Sequence, residues 1–395
     1  CGSIWRISKG EAFKMNLRKV TAALLLVCTL LACASLASCG KKTTVDAETD
    51  TDTEPATESV RETETEVPET EPVPVIPEFV NPLTGLGADK DRSGERPVAV
   101  MVNNLYDALP QEGISKADIM YECLVEGGIT RLMCVVSDYE DLGVIGSVRS
   151  SRPYYLDLAR NHDAIYVHAG GSDDAYIEIK SRKIDNLDGV NMYIPGMFYR
   201  DEERLKTMKY EHTLMTTGEK IKEGIAYKKY RTALSDDMKG KTAFLFADFG
   251  NERTLSGDDA KCVVLPYSKY QTVRLDYNKS TNTYLRYQFE DMPHVDGTTD
   301  EQIAFTNVFV LICEANPTGD SKGHIDVVTE NGHGEGYYIY GGKCEKITWS
   351  KPTNDSPITY YGSDGGELVV NRGKTFVSIF PDYNEANIEL NHKDL

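Results

Sequence analysis

The stretch IMYECLVEGGITRLMCVV, residues 119–136, reads as two apolar strands, Ile119 to Val125 and Ile129 to Val136, around Gly127-Gly128. Paired glycines between apolar runs are hairpin chemistry, because the central residues of a two-residue turn need positive φ. Such a turn pairs Glu126 with Ile129 and Leu124 with Arg131. Glu122, Leu124 and Glu126 then share one face, and Arg131 lies diagonal to both glutamates. Four residues of strand separate the two carboxylates by ~13 Å, beyond the roughly 5–9.5 Å of glycosidase carboxylate pairs. They read as a Glu–Arg–Glu ladder, or as one acid working with a group elsewhere.

Outward from the hairpin the pattern is mixed. Pro97 to Val102, Gly143 to Val148 and Ala164 to His168 are short apolar strands. Pro153 opens a helix running to His162, and Ser172-Asp173-Asp174 opens another, both with helix-start residue types. Helices are expected around Glu202–Met208 and Thr216–Tyr227. Asp236 to Lys241 reads as a hinge. Beyond it, strand-like runs dominate: Cys262–Leu265, Gln271–Tyr277, Thr283–Phe289, Phe305–Ile312, Tyr337–Tyr340, Lys346–Trp349, Glu367–Val370 and Phe376–Phe380. The expected class is α+β: a mixed α/β domain over 79–240, then a smaller, mainly antiparallel β domain over 241–385.

Two polar clusters join the hairpin acids. Arg149-Ser150-Ser151-Arg152 sits at a strand-to-helix junction, where free N–H groups and two guanidinium groups suit a phosphate or carboxylate. His168-Ala169-Gly170-Gly171-Ser172 lies at the carboxyl end of a strand, where α/β sheets place ligands. The candidate ligand-binding set is therefore Arg131, Arg149, Ser150, Arg152, His168, Gly170, Gly171 and Ser172. His168 with Glu122 or Glu126 is the candidate acid–base set. Structural pairing of each cluster is the competing explanation. His212 is a weaker candidate, and His294-Val295-Asp296 offers only a sparse metal pattern. No zinc spacing, phosphate loop, Gly-x-Ser-x-Gly or His-Glu-x-x-His occurs, so neither metal nor cofactor is expected.

The N-terminal region supplies an address. Arg18 and Lys19 precede an uncharged apolar run from Val20 to Ala34, and Leu36-Ala37-Ser38-Cys39 follows. The run of about fifteen residues is short of the ~20 that span a bilayer. It reads as a lipoprotein signal peptide over 15–38 with lipid on Cys39. Cys33 loses as acceptor because apolar sequence continues past it. Residues 1–14, ahead of Met15, read as a leader from a start called too early. Residues 46–78 hold twelve acidic residues against Arg61, with five prolines. That composition makes 39–78 an extended acidic linker. The expected location is the outer face of the bacterial cytoplasmic membrane.

The whole chain carries −19, of which −14 falls on residues 79–395. So acidic a body excludes nucleic acid as a bulk partner, since that needs a basic footprint. Cys123, Cys134, Cys262, Cys313 and Cys344 are odd in number and irregularly spaced, which favours buried thiols over a disulfide framework.

Taken together, NPLTG (81–85), RPVAVMVNN (96–104), GISKADIMYECLVEGGITR (113–131), IGSVRSSRP (145–153), VHAGGS (167–172), PHVD (293–296), TNV (306–308) and the GEGYYIYGGK…TW pattern (334–349) resemble the YerB-like lipoprotein family. The resemblance implies an amino-terminal domain plus a smaller carboxyl-terminal one, and it supplies no established catalytic mechanism to carry over. Glu211-His212-Thr213-Leu214-Met215-Thr216 departs from the family's Pro-His-Asn-Leu-Tyr-Thr type of pattern. The leading expectation is a lipid-anchored envelope protein that binds an anionic small ligand, a glycan or a wall-associated partner. The alternatives are an envelope hydrolase using His168 with Glu122 or Glu126, and a non-catalytic scaffold.

Overall fold

The computed structural model describes residues 74–289 and 291–392. The leader, signal-peptide, Cys39 and most of the linker readings lie outside them. At the centre is one large sheet. Its strands are β1 (Val98–Asn103), β2 (Ile119–Leu124), β3 (Thr130–Val136), β4 (Ile165–His168), β5 (Asn186–Asp188), β6 (Asp258–Asp259), β7 (Asn307–Cys313), β8 (Asn331–Tyr340), β9 (Lys343–Lys351) and β10 (Thr375–Pro381). Their order is β6-β9-β8-β7-β10-β2-β3-β1-β4-β5, with Thr359–Tyr361 added beside β9.

Strands from both sides of the expected hinge thus share one sheet: β10 runs parallel to both β7 and β2, with Ile379 opposite Cys123. The antiparallel expectation holds for the separate sheet formed by Cys262–Ser268, Gln271–Asn278 and Thr283–Gln288. It holds as well for β7 with β8, and β8 with β9, but not for the contacts of β10 with β7 and β2, which are parallel. The uninterrupted apolar runs of β7 and β10, NVFVLIC and TFVSIFP, are what a parallel strand buried on both faces looks like.

Both faces of the sheet are covered. One carries Val98, Val100, Met120, Leu132, Val167 and Val310 against the 262–288 sheet and against helix 218–228, through Ile221 and Ile225. The other carries Met101, Tyr121, Met133, Tyr166 and Phe309. Helices α1 (Pro153–Arg160) and α2 (Asp173–Ser181) pack there through Tyr154, Leu158 and Ile179, beside Phe244 and Leu368. Pro153 occupies the first turn of α1, and Ser172 caps α2 by accepting the Ala175 N–H.

The hairpin register corrects the sequence expectation. Val125 N–H donates to the Ile129 carbonyl, and Leu124 pairs with Thr130, not with Arg131. The turn is therefore Glu126-Gly127-Gly128, with φ of +73° and +76° at the glycines. This slip of one residue sends Arg131 to the face opposite Glu122. The expected Glu122–Arg131 contact is absent, while Arg131 still meets Glu126 at 2.7 Å. Alternation could not choose between the registers because both faces of β2 and β3 are buried.

All five described cysteines are buried free thiols, and burial pushes their pKa values up. Among the described residues no helix is long and apolar enough to cross a membrane.

Candidate functional site

Strands β4 and β5 run parallel beside β1, and the loops that follow β4 and β5 form a cleft together with the segment 148–150. The segment 149–151 is stitched between them. Arg149 N–H donates to the Met101 carbonyl, Ala169 N–H to the Arg149 carbonyl, and Ser151 N–H to the Gly170 carbonyl. Gly170 makes the turn with φ +79°, and its N–H donates to Asp188 Oδ1 at 2.8 Å. Asp188, buried at the end of β5, also accepts the N–H groups of Val190 and Asn191 and the Tyr176 hydroxyl. A carboxylate spent on four donors is a framework group: it fixes the 168–171 and 188–191 loops relative to each other.

The resulting cleft encloses about 350 Å³ and is lined by Arg149, Ser150, Gly170, Gly171, Arg200 and Glu211, among others. Its charged lining is two guanidinium groups and one carboxylate. Arg149 reaches Glu211 at 3.3 Å, with Glu211 half exposed. Arg200 stacks 3.8 Å over the Tyr210 ring and donates to the Tyr210 carbonyl. Among the lining side chains the cations outnumber the anion by one, at the place where parallel α/β strands bind ligands.

Four of the eight ligand-binding candidates, Arg149, Ser150, Gly170 and Gly171, line this cleft. The others stand behind it. Arg131 and Arg152 grip Glu126, with Arg152 Nε at 3.0 Å from Oε2 and Nη2 at 2.5 Å from Oε1. The same two arginines also donate to the carbonyls of Ser150 and Ser151, so they brace the rim without facing it. Ser172 serves as the cap of α2.

His168 is fully buried. Its Nδ1 lies 2.8 Å from the Gly170 carbonyl and its Nε2 3.2 Å from Asn186 Oδ1. Both ring nitrogens are thus engaged beneath the cleft floor. His212 is likewise buried, with Nδ1 accepting from Asn103 Nδ2, and burial holds its pKa down.

The acid–base candidates do not converge. Glu122 belongs to a closed, fully buried ring on the other side of β2. Its Oε2 accepts from Arg286 Nη2 at 2.6 Å, and its Oε1 from Thr130, Asn104 and Gln271. Arg286 also donates to His294 Nδ1. An arginine only donates, so His294 carries its proton on Nε2 and gives it to Gln111 Oε1 at 3.0 Å. Gln111 closes the ring by donating to Asn104 Oδ1. Burial and the Arg286 charge hold His294 well below its ordinary pKa. The expected metal pair is accounted for differently: His294 sits in this ring, and Asp296 accepts the N–H groups of Gly113, Ser115 and Thr298. Among the described residues no three metal-ligating side chains gather.

The residues that sequence reading missed are Arg200 and Tyr210. They come from a two-residue strand, Tyr199–Arg200, and from a 3₁₀ turn, Tyr210–His212. Neither carries a local pattern that points at the cleft.

The body is a mixed α/β fold with one sheet shared by both halves and a cleft at its parallel strand ends. Models for the "Protein of unknown function (DUF3048)" family match the chain twice, the N-terminal domain over residues 83–231 and the C-terminal domain over 263–377. A Bacillus subtilis (strain 168) protein named "Putative lipoprotein YerB" is 31% identical over 319 residues, which is 78% of this chain and 88% of that protein. The crystal structure of YerB protein from Bacillus subtilis superposes with a TM-score of 0.66 at 28% identity, covering 77% of this chain and 97% of that one. The chain belongs to the YerB family of proteins of unknown function.

Proposed function

We propose that this protein is a lipid-anchored component of the cell envelope, held by Cys39 on the outer face of the cytoplasmic membrane. Its cleft binds an anionic small ligand, a glycan or a wall-associated partner. The relative's lipoprotein name and the Leu36–Cys39 processing pattern support the anchor. The observation that carries the ligand class is that Arg149, paired with the half-exposed Glu211, and Arg200 line one cleft. Binding is favoured over hydrolysis because His168, Glu122 and Glu126 are each taken up by separate protein partners.

Titration with inorganic phosphate, glucuronate and glucose tests the cleft. Phosphate and glucuronate are expected to bind and glucose not. Arg149→Ala and Arg200→Ala are each expected to weaken anion binding roughly 10- to 100-fold, the loss of a charge-assisted hydrogen bond of about 1.5–3 kcal/mol. Unchanged affinity in both variants would move the ligand elsewhere. For the anchor, Cys39→Ser is expected to abolish incorporation of labelled palmitate and shift the protein from the membrane to the soluble fraction. Retention in the membrane fraction would refute the lipid assignment.

A further inference from the structure

A second cavity lies on the face of the sheet away from the 262–288 layer and apart from the cleft. It encloses about 510 Å³, and its walls include Phe244, Ile358, Tyr360 and Leu368, with His162 and Asn161 among the polar groups. A smaller cavity adjoins it and shares Asn161, His162 and the segment around Met238 and Lys241–Ala243. That segment is part of the connection between the two halves matched by the family models.

A hydrogen-bond relay aims a donor at this space. Lys351, fully buried, can only donate, and its Nζ lies 2.8 Å from Asn161 Oδ1. That contact turns Asn161 Nδ2 toward the Tyr121 hydroxyl, 3.5 Å away. Tyr121 accepts there and gives its own proton to His162 Nε2 at 2.8 Å. The imidazole proton therefore sits on Nδ1. His162 is 94% buried in effect, at 6% exposure, and among the described residues Nδ1 has no partner. Burial, helped by the Lys351 charge, pulls the His162 pKa down to about 3, so the ring stays neutral.

We infer that this cavity is a second binding site, for an uncharged small molecule with a planar apolar body and one acceptor oxygen, which His162 Nδ1–H receives. The ring walls supply the apolar contact surface. The charged wall groups, Lys241 and Glu367, are solvent-exposed and opposite in sign, and the buried neutral imidazole offers no charge to repay the desolvation of an anion. The buried Lys351 ammonium behind Asn161 disfavours a cation.

The probes are acetophenone, benzoate and benzylamine, followed by ligand-observed NMR on the full chain. Acetophenone is expected to bind at least roughly tenfold more tightly than either charged analogue. His162→Phe is expected to abolish its binding. Because a buried substitution can disturb folding, Thr242→Trp, at an exposed wall position, blocks the same space independently and is expected to do likewise. Arg149→Ala should leave acetophenone binding intact, which separates this site from the cleft. Absence of acetophenone binding, equal binding of all three probes, or binding that survives both cavity variants overturns the assignment.

Discussion

Replacing Glu122 with leucine is expected to lower the free energy of unfolding by about 3–5 kcal/mol, the cost of leaving a buried charge without its partner. Glu122 and Arg286 are both fully buried, 2.6 Å apart, and join β2 to the 283–288 strand. Removing the carboxylate strands the guanidinium and frees three further donors, on Asn104, Thr130 and Gln271. Arg286→Met alone should cost a similar amount by stranding Glu122. The double variant Glu122→Leu, Arg286→Met should lose less than either single change, because an apolar pair of similar volume carries no uncompensated charge. Urea unfolding of the four proteins checks this. Losses that simply add would mean that the two side chains do not act as one buried pair.

That ring shows where sequence reading reached and where it stopped. Val98–Asn103, Ile165–His168 and the capped helices at Pro153 and Ser172 announce themselves by short-range chemistry: apolar runs, a proline in the first turn, a serine cap. The joining of the two halves does not. The contact between β2 and β10 spans more than two hundred residues, and nothing local to TFVSIFP says which strand lies beside it. The cleft was half legible for the same reason. Arg149 and Gly170 sit at strand ends whose residue types imply a ligand. Arg200 reaches the cleft only because β-pairing sets it opposite Leu214.

Glu122 and His294 were each visible as ionisable residues near glycines or apolar strands, but their partners come from 164 and 183 residues away. Long-range pairing turned two apparent catalytic or metal candidates into framework groups. The one-residue hairpin slip did the same to the Glu–Arg–Glu ladder: it kept Glu126 with Arg131 and released Glu122 to Arg286.

Glu126→Ala is expected to be nearly as damaging, by about 2–4 kcal/mol, and to disorder the cleft rim as well. One carboxylate serves both Arg131 and Arg152, whose side chains are 4% and 7% exposed. Without it, two guanidinium groups face each other in a poorly hydrated site. They are also the groups that hold the Ser150 and Ser151 carbonyls, so Arg149 should lose its fixed position, and anion binding at the cleft should weaken with stability.

The pH dependence has a definite sign. Burial raises the Glu126 pKa, but the Arg131 and Arg152 charges outweigh it and bring it from 4.5 down to about 2. A carboxyl with a depressed folded-state pKa contributes its full stabilisation above its unfolded value. That contribution falls as pH drops through the interval between the two values, since only the unfolded chain takes up the proton there. The stability gap between wild type and Glu126→Ala should therefore be widest above about pH 5 and close steadily toward pH 2. Thermal or urea midpoints across that range measure it. A gap that stays constant with pH would show that Glu126 contributes packing and not charge. The bracing of the cleft would then have to come from Arg131 and Arg152 through their carbonyl contacts alone.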